Sequence, residues 1–281
     1  MTTTLRRLVP ALVGVALLAT ALPGCDWPET TRFVHPVLDG HEVTTGITYR
    51  HTTRPDTGQP IDLKLDVYEP AGDTRDERPV VVWMFGGGWR SGDRNQLAGY
   101  AADSARRGYV GVAIDYRTWT GPGFDIVAAS NAAYEDTLAA VEWLRDHAAD
   151  HRLDPDAIVA AGYSAGAVNA LHALYRPETS PVAGAVAIAG LSFDPPTPGR
   201  PPALVFSGTR DTTVPHNLSR DQCAQARDLG NVCRFVAYEG EDHLIALTQA
   251  ADIRAQTADF IFEEVLWDLG YRAEKAPAAA A

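Results

Sequence analysis

Ser164 stands in Gly162-Tyr163-Ser164-Ala165-Gly166, a G-x-S-x-G pattern with an apolar run at 157–161 before it and a small-residue stretch at 165–175 after it. A serine at a strand-to-helix turn is forced into a strained backbone with its hydroxyl pointing out of the sheet, and the flanking glycines leave room for the turn. Two later residues can act on that hydroxyl. Asp211 ends Gly208-Thr209-Arg210-Asp211 after the apolar run 203–207, and His243 ends Gly240-Glu241-Asp242-His243 after the run 232–238. The order Ser…Asp…His, each residue following a strand, suits nucleophilic attack on a carbonyl carbon. His243 would take the Ser164 proton and pass it to the leaving group, while Asp211 would hold the imidazole tautomer and offset its transient charge. Asp242 competes for the role of acid, but adjacent residues rarely orient each other's rings.

The attack also needs donors for the oxyanion that forms. Gly86-Gly87-Gly88-Trp89 follows the apolar run 80–85. The backbone N–H groups of Gly87 and Gly88, with that of Ala165, are placed to serve, each donor being worth roughly 3 kcal/mol. A phosphate loop is the competing reading of Gly87-x-x-x-x-Gly92, but Asp93 stands where such a loop needs lysine.

Strand ends must bring these residues together. A segment at 46–52 and a strictly alternating one at 61–68 predict two antiparallel strands, the second with one wet face. Beyond them, continuous apolar runs at 80–85, 109–114, 157–161, 182–189, 203–207 and 232–238 read as strands buried on both faces. Helical patterns lie between or after them at 96–107, 131–150, 165–175, 214–229 and 243–269. The alternation predicts an α/β domain with a mostly parallel, doubly wound sheet of about eight strands and flanking helices. In such sheets ligands sit outside the carboxyl ends of the strands, where Ser164, Asp211, His243 and the glycine loop all fall.

At this point several motifs in order resemble the α/β-hydrolases, specifically the carboxylesterases related to hormone-sensitive lipase and the dienelactone and feruloyl-esterase-like group. Phe85-Gly86-Gly87-Gly88-Trp89 resembles their H-G-G-G-[WF] motif, Asp115-Tyr116-Arg117 their D-Y-R, residues 136–144 their helix D-x-x-x-A-x-x-W-L, and 162–166 their G-x-S-A-G. The resemblance covers about 79–243 and implies a serine carboxylic-ester hydrolase working through an acyl-enzyme, with no cofactor and no metal. Phe85 departs from it, standing where the family has a histidine that helps brace the glycine loop. The same triad cleaves amides, so a serine peptidase is the enzymatic alternative, and a non-catalytic surface-tethered binding protein is the alternative from another class.

The connection after the run at 182–189 is short, which predicts a minimal lid and an open cleft, with Trp89, Trp119 and Phe193 as its apolar walls. Such a cleft suits short-acyl esters, free or decorating a polymer. Asp115 and Asp136 read as structural carboxylates, and His216 as a helix-start residue. His147 and His151, i and i+4 on a helix, lack a third metal ligand and read as a solvated face.

Composition sets the outer bounds. The chain has 281 residues, 46% of them hydrophobic, and a formal net charge of -12. That acidity argues against nucleic acid as a partner, because phosphate neutralisation needs a basic surface. Arg6 and Arg7 precede an apolar run at 8–22, and Leu22-Pro23-Gly24-Cys25 ends it. This resembles a bacterial lipobox, which implies cleavage before Cys25, its lipidation, and export to the outer face of a membrane, with full secretion as the alternative. The expected organisation is a signal peptide at 1–24, a tether at 25–45, the catalytic domain at 46–272 and a loose tail at 273–281. Membrane contact would run only through Cys25. The two cysteines then remaining, Cys223 and Cys233, are expected to pair in an oxidising compartment.

Overall fold

A computed structural model describes residues 31–272. The signal peptide at 1–24, the lipidation site Cys25, the first part of the tether and the tail at 273–281 lie outside the described residues.

The sheet has eight strands: β1 (His41–Thr53), β2 (Pro60–Pro70), β3 (Arg78–Met84), β4 (Val110–Ile114), β5 (Leu153–Tyr163), β6 (Gly184–Ile188), β7 (Ala203–Gly208) and β8 (Cys233–Tyr238). Their spatial order is β1-β2-β4-β3-β5-β6-β7-β8. β1 with β2 and β2 with β4 are antiparallel, and every other pairing is parallel. The helices are α1 (Ala98–Arg106), α2 (Ile126–Asp146), α3 (Ala165–Tyr175), α4 (His216–Asp228), α5 (Ile245–Thr248) and α6 (Ala250–Phe260), the last continuing into a π-helical turn at Ile261–Leu266.

Strand β3 shows why its sequence is a continuous apolar run. Successive side chains point to opposite faces. Val80, Val82 and Met84 enter the core layer beneath α2, α3 and α4, whereas Val81 and Trp83 enter the layer beneath α1 and α6. Both faces are covered by helices, so residues 80–84 have no place for a polar side chain. β2 changes character along its length. Lys64 is exposed and alternates with buried Leu63 and Leu65, but from Leu65 to Tyr68 both faces are buried. Asp66 is accommodated there by an ion pair with Arg94 at 2.8 Å and by the Gly46 N–H at 2.7 Å.

The expected tether at 25–45 is corrected over its described part. Strand β1 begins at His41, and residues 31–38 pack on the domain. Phe33 is fully buried, edge-on to Tyr109 and Tyr271 with ring centroids 5.3 and 5.5 Å away. Arg32 pairs with Asp73 through two hydrogen bonds of 2.9 and 2.6 Å. Single anchoring side chains hold this segment, so it has no periodicity by which a sequence pattern could identify it.

Cys223 on α4 and Cys233 at the start of β8 form a disulfide, with Cα atoms 5.6 Å apart. Closing so short a loop stabilises the fold by about 3 kcal/mol in the chain-entropy account.

Candidate active site

The turn from β5 into α3 presents Ser164. Its backbone lies at φ 53° and ψ -117°, a region that a residue with a side chain rarely occupies. Packing compels the turn: a Cβ on Gly166 would overlap the Met84 and Phe85 carbonyls, so α3 can start this close to β3 only with glycine there. Ser164 is tied into the sheet by its N–H, which donates to the Ile188 carbonyl at 2.9 Å.

The hydroxyl of Ser164 lies 2.9 Å from His243 Nε2, and His243 Nδ1 lies 2.8 Å from Asp211 Oδ2. Asp211 is buried, and its other oxygen accepts the backbone N–H groups of Thr213 at 2.8 Å and Val214 at 2.9 Å. The two backbone donors hold the carboxylate with one oxygen aimed at the histidine. Tyr163 steadies His243 from below, its hydroxyl donating to the His243 carbonyl at 3.1 Å. Burial, with Asp211 and Asp242 nearby, pushes the Tyr163 phenol up to about 12, so it stays a donor. Asp242 accepts the Leu244 N–H at 2.8 Å, while the two ring nitrogens of His243 face Ser164 and Asp211.

The glycine loop stands across from Ser164. Gly87 lies at φ 121°, and a Cβ there would overlap the Ser91 carbonyl. Gly87 and Gly88 both border the space above Ser164. Phe85 braces the loop by means other than a histidine. Its ring stacks on Tyr116 at 4.0 Å and 8°, the Tyr116 hydroxyl donates to the Phe85 carbonyl at 2.8 Å, and Gln96 Oε1 accepts the Gly86 N–H at 2.6 Å. Gly87→Ala should twist the loop away from the oxyanion position. Steady-state kinetics should then show kcat down by about 10²- to 10³-fold, the cost of one displaced donor, and the melting temperature should fall as well, because the added Cβ meets the Ser91 backbone at a positive φ.

Two cavities meet at Ser164. One, of about 400 Å³, is lined by Gln96, Leu97, Tyr163, His243, Leu244 and Leu247 among others. The second, of about 260 Å³, is lined by Trp89, Val168, Leu191, Phe193, Val214 and Pro215 among others. Trp89 and Phe193 therefore wall the site. Trp119 does not: it packs edge-on to Phe124 at 6.0 Å, and its backbone N–H donates to the Trp89 carbonyl at 2.7 Å. Its indole N–H reaches the Pro122 carbonyl at 3.4 Å, and the ring packs against the core layer that contains Trp89. Sequence reasoning missed Leu244, Leu247, Val214 and Pro215, although all lie within four positions of Asp211 or His243 and so had to flank the site.

Other candidates find structural work. Asp136 is fully buried; burial pushes its carboxyl upward against the opposing pull of Arg117 and Arg50, which both bond to it. Asp115 pairs with Arg94 at 2.7 Å. His216 Nδ1 lies 3.2 Å from Ser207 Oγ. His147 Nδ1 meets the Trp143 carbonyl at 2.8 Å and His151 lies beside Glu69, and no group of three or more potential metal ligands occurs among the described residues.

His172, on the helix that follows Ser164, is fully buried, and burial with the nearby Arg176 pushes its imidazole down to about 3 from an ordinary value near 6.5. Between those values the unfolded chain binds a proton there and the folded chain does not. Stability should therefore fall as pH drops through that window, by up to about 1.4 kcal/mol per pH unit. His172→Gln, neutral throughout, should remove one proton's worth of that slope in denaturant melts.

Comparison with known proteins places these observations in context. A family model described as BD-FAE matches residues 65–182. Lipase 1 of Geotrichum candidum is 37% identical over 124 residues, covering 40% of this chain and 22% of the lipase. Carboxylesterase 1C of Rattus norvegicus is 38% identical over 111 residues, covering 38% and 20%. The chain thus spans about a fifth of the length of these curated relatives. Thermogutta terrifontis esterase 2 phosphoramylated by tabun superposes with a TM-score of 0.66 at 28% identity, over 85% of this chain and 98% of that one. The butyrate-bound form of the same esterase gives 0.65, also at 28% identity, over 84% and 97%.

Proposed function

The chain belongs to the α/β-hydrolase carboxylesterases, in the hormone-sensitive-lipase-like group, and on that premise we propose that it hydrolyses short-acyl carboxylic esters, with Ser164 as nucleophile, His243 as general base and acid, and Asp211 as orienting carboxylate. The observation that carries this reading is the chain of two bonds, 2.9 and 2.8 Å, from Ser164 through His243 to Asp211 beside a two-lobed cleft. His243 Nε2 accepts the hydroxyl proton as Ser164 Oγ bonds to the ester carbon. Negative charge moves to the carbonyl oxygen, where the N–H groups of Ala165 and the glycine loop receive it. The imidazolium, steadied by Asp211, then protonates the departing alkoxide. Water, deprotonated by His243, attacks the acyl-serine to release the acid and restore the hydroxyl.

Proton delivery assigns the two cavities. His243 borders the 400 Å³ cavity and not the 260 Å³ one, so the alcohol belongs in the former and the acyl group in the latter. The apolar, smaller lobe walled by Trp89 and Phe193 favours short acyl chains. The structural relative described with bound butyrate and with bound propionate supports the same limit.

A fluorophosphonate probe tests the reading directly. Labelling should map to Ser164 and vanish in Ser164→Ala, and p-nitrophenyl acetate and butyrate should turn over faster than aminoacyl p-nitroanilides. An intact protein that takes no label at Ser164 would overturn it.

Export and lipidation at Cys25 form the second part of the proposal. Residues 32–38 pack against Arg106, Arg107 and Tyr109, just ahead of β4 and so at the amino ends of the parallel strands. The cleft lies at their carboxyl ends. The interval from Cys25 to Thr31 spans at most about 20 Å, so a lipid on Cys25 would hold the cleft facing away from the bilayer, toward soluble or polymer-borne esters. Mass analysis of membrane-extracted protein tests this: a mature N-terminus other than acylated Cys25 rules it out.

A further inference from the structure

Helix α3 is buried along its whole length, yet it carries Asn169 and His172, both with no exposed surface. Each keeps a buried nitrogen without a protein hydrogen-bond partner, Nδ2 in Asn169 and Nδ1 in His172. Leaving a polar group unpaired in a core costs stability that leucine or phenylalanine would not. The bonds these residues do make reach the same destination. Asn169 Oδ1 accepts the indole N–H of Trp89 at 2.9 Å. His172 Nε2 accepts the backbone N–H of Phe193 at 3.2 Å, and its ring stands edge-on to the Phe193 ring at 5.5 Å. Asp194 does not compete for that nitrogen: it lies 3.6 Å away and is bonded to Arg176.

Both held residues need an anchor. Trp89 sits at φ 57°, a left-handed conformation that a bulky residue keeps only under constraint. Phe193 lies in the irregular connection at 189–202 and is 47% exposed, so packing alone does not place it. The two rings touch at 5.7 Å and together wall the smaller cavity.

We propose that Asn169 and His172 are positioning residues that set the acyl-length limit, by fixing Trp89 and Phe193 from behind on the helix that also carries Ser164. The proposal rests on the ester-hydrolase reading above and deepens it. Nucleophile and acyl wall are thereby referenced to one rigid element, and the depth available to the acyl chain is set in the core rather than at the surface. His172 must accept at Nε2 to do this, which requires the neutral tautomer with its proton on Nδ1; the depressed imidazole keeps it neutral.

The test compares kcat/KM for p-nitrophenyl acetate, butyrate and hexanoate in the full chain. Asn169→Leu and His172→Leu remove one anchor each. The hexanoate-to-acetate ratio should rise about tenfold in each, the scale on which a pocket senses a methylene. His172→Gln, which retains an acceptor, should keep the wild-type ratio. Should a leucine variant fail to fold, Asn169→Ser and His172→Asn, too short to span to their partners, must give the same rise. A ratio unchanged in folded variants overturns the proposal, as does a loss equal for every chain length, which would mean a merely structural role. A wild-type protein inactive on all three esters would instead refute the ester-hydrolase reading.

Discussion

Ser164→Ala is expected to lower kcat on p-nitrophenyl butyrate by about 10⁶-fold, and His243→Ala by about as much. The double variant should lose no more than either single one. In the proposed mechanism the two side chains perform one proton transfer between them. With Oγ gone there is no nucleophile for His243 to activate, and with the imidazole gone the hydroxyl keeps its proton at neutral pH. The residual rate comes from the N–H groups around the oxyanion position. Among the described residues Ser164 Oγ bonds only to His243, so its removal should leave the fold intact. Circular-dichroism melts of variant and wild type should therefore coincide while active-site titration with a fluorophosphonate falls to zero. A Ser164→Ala variant retaining even a hundredth of the wild-type rate would mean that another residue attacks the ester.

The second large effect is Asp211→Asn, expected to cost about 10⁴ in kcat. The geometry explains why so small a change matters. One oxygen of Asp211 is claimed by the N–H groups of Thr213 and Val214 and the other by His243 Nδ1. An asparagine must turn its carbonyl toward the two backbone donors, which leaves its NH₂ facing the histidine. Nδ1 then has to accept, the proton moves to Nε2, and Nε2 can no longer take a proton from Ser164. The tautomer is reversed with every heavy atom in place. Substrate affinity should change little, so the loss should fall in kcat rather than KM. A loss below about 100-fold would sink the tautomer argument.

The likeness to Thermogutta terrifontis esterase 2 runs over most of the chain, whereas the matches to the lipases and carboxylesterases cover about a fifth of those proteins. The family-model match at 65–182 spans the segment with the glycine loop and Ser164.

Much of this could be read along the chain because it depends on neighbours in sequence. Runs such as 80–84 are apolar because helices cover both faces of a parallel sheet, and that requirement leaves its mark on consecutive residues. The strand-to-helix turn at Ser164 needs glycine where α3 passes the β3 carbonyls, so it too is written locally. Strand ends at 207 and 238 place Asp211 and His243 on the same edge as Ser164, whatever the details of packing.

Contacts between distant segments left no such mark. Residues 31–40 looked like a tether because Phe33 and Arg32 act singly, against partners such as Asp73, Tyr109 and Tyr271. Phe85 stands where the resembled family has a bracing histidine, and the sequence does not show that Tyr116, from the neighbouring strand's end, stacks on it. Trp119 and Phe193 are indistinguishable as aromatic loop residues, yet one packs edge-on to Phe124 and the other lines the smaller cavity. Nothing in the sequence marks Asn169 and His172, because each meets its partner in another segment of the chain. The chemistry of the cleft follows from local backbone geometry at four strand ends. Its shape follows from which side chains those ends bring together from elsewhere, and hydrogen bonds across such separations have no period for a sequence to display.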